Sequence, residues 1–122
     1  MKSNMLFGLW LSVSLLSPAA WAKPSLHAPK DAKSVAAGKE LFLTNCAACH
    51  GDTGKGDGPA GGALDPKPRD LMTGKFKLGD KDDAIFNTIT KGSPGSAMTP
   101  WGDKLSSKQR WQLVAFVKSL HR

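Results

Sequence analysis

Cys46-Ala47-Ala48-Cys49-His50 sets two thiols three residues apart and follows the second directly with an imidazole. Cys-x-x-Cys-His is the attachment pattern of c-type haem. The reason is geometric. Two cysteines so spaced at a helix end can reach the two vinyl groups on one edge of a porphyrin. The next residue then lies beneath the ring and offers a nitrogen to the iron. Thioether bonds also hold the group in a protein whose own core is small. Three rival chemistries fit less well. Structural zinc takes four Cys or His ligands, and this chain adds only His27 and His121, near its two ends. A thioredoxin-like pair opens a helix after a strand, whereas here the motif closes one. A disulfide across two residues removes little chain entropy.

Upstream, residues 34–46 carry Val35, Gly38, Leu41, Phe42 and Asn45 at three- and four-residue spacing, with Ser34 placed to cap. Glycine inside a helix costs about 1 kcal/mol against alanine, so Gly38 implies a close crossing with another helix. Downstream, residues 51–70 (GDTGKGDGPAGGALDPKPRD) are rich in glycine, proline and aspartate. They read as a long loop wrapped around something. Asp80 is placed to cap a second helix over residues 81–91, with Ile85, Phe86 and Ile89 on its apolar face and Gly92 at its end. Ser106 or Ser107 opens a last helix running to residue 120. Its buried stripe is Trp111, Leu113, Val114, Phe116, Val117 and Leu120. No stretch alternates with period two. The class expected is mainly α, three or more helices with long loops.

The first residues read as a leader. After Met1-Lys2, residues 5–16 form an apolar stretch too short for the roughly 20 residues a bilayer span needs, and Pro18 breaks it. Ala20-Trp21-Ala22 offers small residues where a signal peptidase reads. The expected organisation is therefore a signal peptide at 1–22, an extended, mobile segment at 23–33 and one domain at 34–122, exported to the periplasm without stable membrane insertion. The formal charge of +7 loses only Lys2 with the leader. An exported protein rarely meets nucleic acid, so the basic excess points to acidic patches on protein partners.

An iron held by His50 leaves its other face to be filled. Met98 stands after a helix end and a turn, just ahead of a proline, as a ligand on a stiff loop would; the same residue could equally fill a gap in the core. Met72 competes, with His27 and His121 behind it. A His/Met pair closes the iron and raises its potential relative to two histidines.

Four features together resemble a class I c-type cytochrome, the small, single-haem, exported bacterial electron carrier. They are CAACHG at 46–51, the preceding helix with Gly38 and Phe42, ITKGSPGSAMTPWG at 89–102 and RWQLVAFVKSL at 110–120. The resemblance covers roughly residues 34–122. It implies a cytochrome c fold around one covalent haem c, anchored by Cys46 and Cys49, with His50 and Met98 as axial ligands. It also implies that the first and last helices cross at Gly38, bringing Gly38 and Phe42 against Leu113 and Phe116. Many members have the ligand methionine directly before proline; here Thr99 intervenes. Trp101 resembles an aromatic near the haem edge, or is an ordinary core tryptophan. Arg69 sits where the family's loop lines the haem, either paired with a propionate or solvated.

Other signals carry less. Residues 56–61 match G-x-G-x-x-G, but they follow no strand and include Pro59. Asp82 and Asp83 suit a helix's first turn. Lys75, Lys77, Lys81, Lys91, Lys104 and Lys108 either ring the haem edge for docking or are simply solvated. The function expected is single-electron transfer between redox protein partners by a monomer that is not an enzyme. The alternative is a haem c subunit of a larger oxidoreductase.

Overall fold

The computed structural model describes residues 26–121. The leader and its cleavage site lie outside the described residues. Four helices follow in order: α1 (Ala32–Asn45), α2 (Ala47–His50), α3 (Asp82–Lys91) and α4 (Ser107–Ser119), with single 3₁₀ turns at Gly61–Ala63 and Leu71–Thr73. The described residues contain no strand, and none of their helices is long and apolar enough to cross a membrane.

Two helix starts differ from the sequence reading. α1 begins at Ala32 because Asp31, not Ser34, is its cap: the Asp31 carboxylate accepts the Ser34 amide at 2.8 Å. That bond holds the Asp31 carboxyl below its ordinary value. α3 begins at Asp82, with Lys81 rather than Asp80 at the cap position. The Asp82 carboxylate instead accepts the Ala28 amide at 2.9 Å and pairs with Lys118 at 3.8 Å. The segment before α1, expected to be mobile, is therefore pinned to α3 at Ala28, which is buried. α4 starts as anticipated. Ser106 and Gln109 form a reciprocal capping box, satisfying two backbone donors.

The core is the crossing of α1 and α4. Gly38 packs directly on the Gln112 carbonyl of α4, so a Cβ there would collide with backbone and come within 2.9 Å of Phe116 Cβ. One turn on, the Phe42 and Phe116 rings meet at 5.1 Å. Phe42, Leu113 and Val114 are the largest fully buried side chains. α3 lies against α4 through Ile85 and Ile89. Trp111, half-buried at the edge of that core, stacks on Phe86, ring centres 4.2 Å apart. The helices thus frame a space that the protein's own side chains leave open.

Candidate cofactor site

α1 ends at Cys46, and α2 is one turn that carries the rest of the motif. A helix this short leaves most of its carbonyls without partners. The glycine-rich loop supplies them. The Ala60 amide donates to Ala48 O at 2.8 Å, Gly58 to Cys49 O at 3.1 Å and Gly56 to His50 O at 2.7 Å. Such an approach needs a residue without a side chain: a Cβ on Gly58 would press on the Ala47 and Ala48 carbonyls. The G-x-G-x-x-G pattern is the wrapping of α2, a role the sequence reading did not assign.

Beside α2 opens a cavity of about 310 Å³, within the range of small-molecule sites. Its wall includes all six residues singled out from the sequence: Cys46, Cys49, His50, Arg69, Met98 and Trp101. Phe42, Ile85, Ile89, Leu113 and Val117 make much of the rest apolar. Of the other possible ligands, Met72 is exposed and off this wall. His27 lines a separate groove with Trp111, and His121 stands edge-on to Phe76.

His50 is oriented by a bond that sequence did not foresee. Its Nδ1 lies 3.3 Å from the Arg69 carbonyl. A carbonyl only accepts, so Nδ1 carries the proton and the Nε2 lone pair is free to bind a metal. Burial lowers the His50 pKa, with the Arg69 carbonyl opposing, which favours the neutral ligand form. Arg69 thus contributes its backbone, while its side chain lies exposed on the cavity wall. Burial, reinforced by Cys49, pushes the Cys46 thiol up to about 11, so it remains a protonated thiol rather than a thiolate. Both cysteines are free.

Met98 is clasped by its own loop. Its amide donates to Ser96 Oγ at 3.2 Å, Ser96 Oγ donates to Ser93 O at 2.7 Å, and Met98 O accepts the Ser93 amide at 3.1 Å. The trailing end is tied to α3, Trp101 N donating to Ile89 O at 3.0 Å and Gly102 N to Thr90 O at 3.1 Å. Trp101 lines the cavity and carries Lys104 over its ring at 5.0 Å. The six lysines do not form one ring: Lys77 is on the cavity wall, joined by Lys67, while Lys108 lines the groove beside His27.

A haem fits this set of donors. Two thiols, a neutral imidazole and a thioether share one apolar cavity. Among the described residues no three His, Cys, Asp or Glu side chains converge on a point suited to a metal ion.

Comparisons with known proteins agree. Residues 33–117 match the family model for cytochrome c oxidase, cbb3-type, subunit III. The chain is 36% identical over 122 residues to the cbb3-type cytochrome c oxidase subunit FixP of Azorhizobium caulinodans, covering 98% of this chain and 39% of that protein. It therefore spans well under half of that relative's length. Among solved structures it is similar to the Kuenenia stuttgartiensis reducing HAO-like protein complex Kustc0457/Kustc0458 (TM-score 0.71, 33% identity), covering 77% of this chain and 46% of that one. It is also similar to the c-type cytochrome KustC0563 (TM-score 0.58, 26% identity), covering 70% of this chain and 98% of that one.

Proposed function

Because the chain belongs to the cytochrome c family and takes one covalently bound haem c, we propose that it carries single electrons between redox proteins in the periplasm, with His50 and Met98 as the axial ligands. One observation carries this reading most: both potential ligands, and both attachment cysteines, line the same cavity.

The residues divide the work. Cys46 and Cys49 would hold the haem, each thiol adding its S–H across a vinyl group so that a C–S bond forms with no leaving group. His50 presents Nε2 while Arg69 O holds its Nδ1 proton. Met98, held at both its amide and its carbonyl, supplies a sulfur from a loop with little freedom. Bound there, the haem supplies a one-electron couple at its iron. With His50 and Met98 both holding the iron, no open position would remain for substrate or oxygen, which supports a carrier rather than a catalyst. The Trp101 region, Lys67 and Lys77 would then face a partner with acidic groups. Export is supported by the small residues at Ala20 and Ala22 after the apolar stretch.

A second reading has support of its own. The FixP relative is an oxidase subunit, and the Kuenenia structure is a complex. On that reading this chain is the haem c subunit of an oxidoreductase. The c-type cytochrome KustC0563, matched along nearly its whole length, supports the free carrier. Carbon monoxide tests the closed iron. The native reduced protein is expected to bind it slowly or not at all; rapid binding would contradict the carrier reading. Size measurement of the protein purified from its native membrane and soluble fractions separates the two arrangements.

A further inference from the structure

Arg110 occupies the first turn of α4, where a cation opposes the helix dipole. It is not on the cavity wall. Its surroundings explain the placement. Arg110 Nη1 donates to Thr90 Oγ1 at 2.6 Å, and its guanidinium carbon lies 4.8 Å from the Phe86 ring centre. The Thr90 hydroxyl in turn donates to Phe86 O at 2.7 Å. The Phe86 ring also stacks on Trp111 of α4, ring centres 4.2 Å apart. The guanidinium thus grips the Phe86 ring and, one turn on, the hydroxyl of Thr90 in the last turn of α3.

That same turn holds the Met98 loop. Ile89 O and Thr90 O are the acceptors for Trp101 and Gly102, at the loop's trailing end. Gly102 packs so closely that a Cβ would come within 3.2 Å of Thr90 Cγ2 and 3.9 Å of Arg110 Nη1. We infer that Arg110 is a positioning residue: acting through Thr90, it locks the end of α3 to α4 and so sets how firmly Met98 stays at its ligand position. The inference rests on Met98 as the axial ligand. A charge-assisted hydrogen bond of this length is stronger than a neutral one, so its loss loosens the loop rather than merely the surface.

The test uses the full holoprotein. Imidazole is titrated against the ferric form, well below its unfolding temperature, while the sulfur-to-iron charge-transfer band is followed. Thr90→Val removes the hydroxyl and keeps the branched shape; Arg110→Gln removes the charge. Each is expected to bind imidazole about ten-fold more tightly, the equivalent of about 1.4 kcal/mol. The double variant is expected to go no further, and Thr90→Ser to match wild type. Folded single variants with wild-type imidazole affinity would overturn the role, even if both melt earlier. So would a double variant whose effect is the sum of the two, because the residues would then act independently. Thr90→Val carries the test alone if Arg110→Gln fails to fold. A wild-type protein with no charge-transfer band would instead overturn the Met98 assignment beneath it.

Discussion

The two sides of the cavity are held by different means. On the His50 side everything is close in sequence: Cys46, Cys49 and His50 share a turn, and the loop directly after them closes on its carbonyls. On the Met98 side the loop closes on itself through Ser93 and Ser96, then leans on α3, which leans on α4. The first side is fixed by short-range backbone bonds, which the proposed thioethers would reinforce. The second depends on elements that must already be packed. A local side withstands perturbation elsewhere, whereas a relayed side transmits it, so of the two proposed ligands Met98 is the more open to tuning.

The largest effect expected from breaking this contrast is on the local side. Replacing both Cys46 and Cys49 by serine removes covalent attachment altogether, read as protein mass after denaturation; haem retained through denaturation would refute the anchoring. Next is the wrap. Gly58→Ala forces a methyl onto the Ala47 and Ala48 carbonyls and is expected to cost about 1–3 kcal/mol in urea unfolding. Gly62→Ala, facing open space, serves as the control and should leave the midpoint nearly unchanged. Equal losses at the two positions would remove the case for a tight wrap.

On the relayed side, Ser96→Ala deletes the hydroxyl that bridges Ser93 O and the Met98 amide. It is expected to cost only about 1 kcal/mol of stability while making Met98 easier to displace with added imidazole. A loss of stability with no change at the ligand would show that the clasp does not reach the sulfur. The smallest effect lies far from both sides. Asp31 caps α1 with a carboxyl held below its ordinary 3.8. A depressed folded pKa gives stability that is present above the unfolded value and lost as pH falls through the folded one. Asp31→Ala is therefore expected to lower the melting temperature slightly at neutral pH, with the gap closing in acid. A gap that persists in acid would assign the effect to something other than the cap.

Legibility in the sequence followed the same division. The Cys46, Cys49 and His50 motif could be read directly because its geometry is a matter of three-residue spacing, and all three line the cavity. Gly38 announced the α1–α4 crossing because a mid-helix glycine needs a reason, and the Gln112 carbonyl supplies it. Met98 was reached through family resemblance; loop context alone left it level with a gap-filling methionine, and the cavity wall separates it from Met72. The Arg69 carbonyl could not be read at all, since a backbone acceptor leaves no trace in residue type. Helix starts were misplaced by a few residues: Asp31 took the cap from Ser34, and Lys81 rather than Asp80 stands at the cap of α3. Thr90 and Arg110 gave no local pattern, because their partnership exists only once α3 and α4 have packed.

The most direct test of the central claim is the absorption spectrum of ferric Met98→Ala beside wild type. The account predicts a sulfur-to-iron charge-transfer band in wild type that disappears in the variant while the haem stays covalently attached. A band missing from wild type, or surviving in the variant, would contradict it.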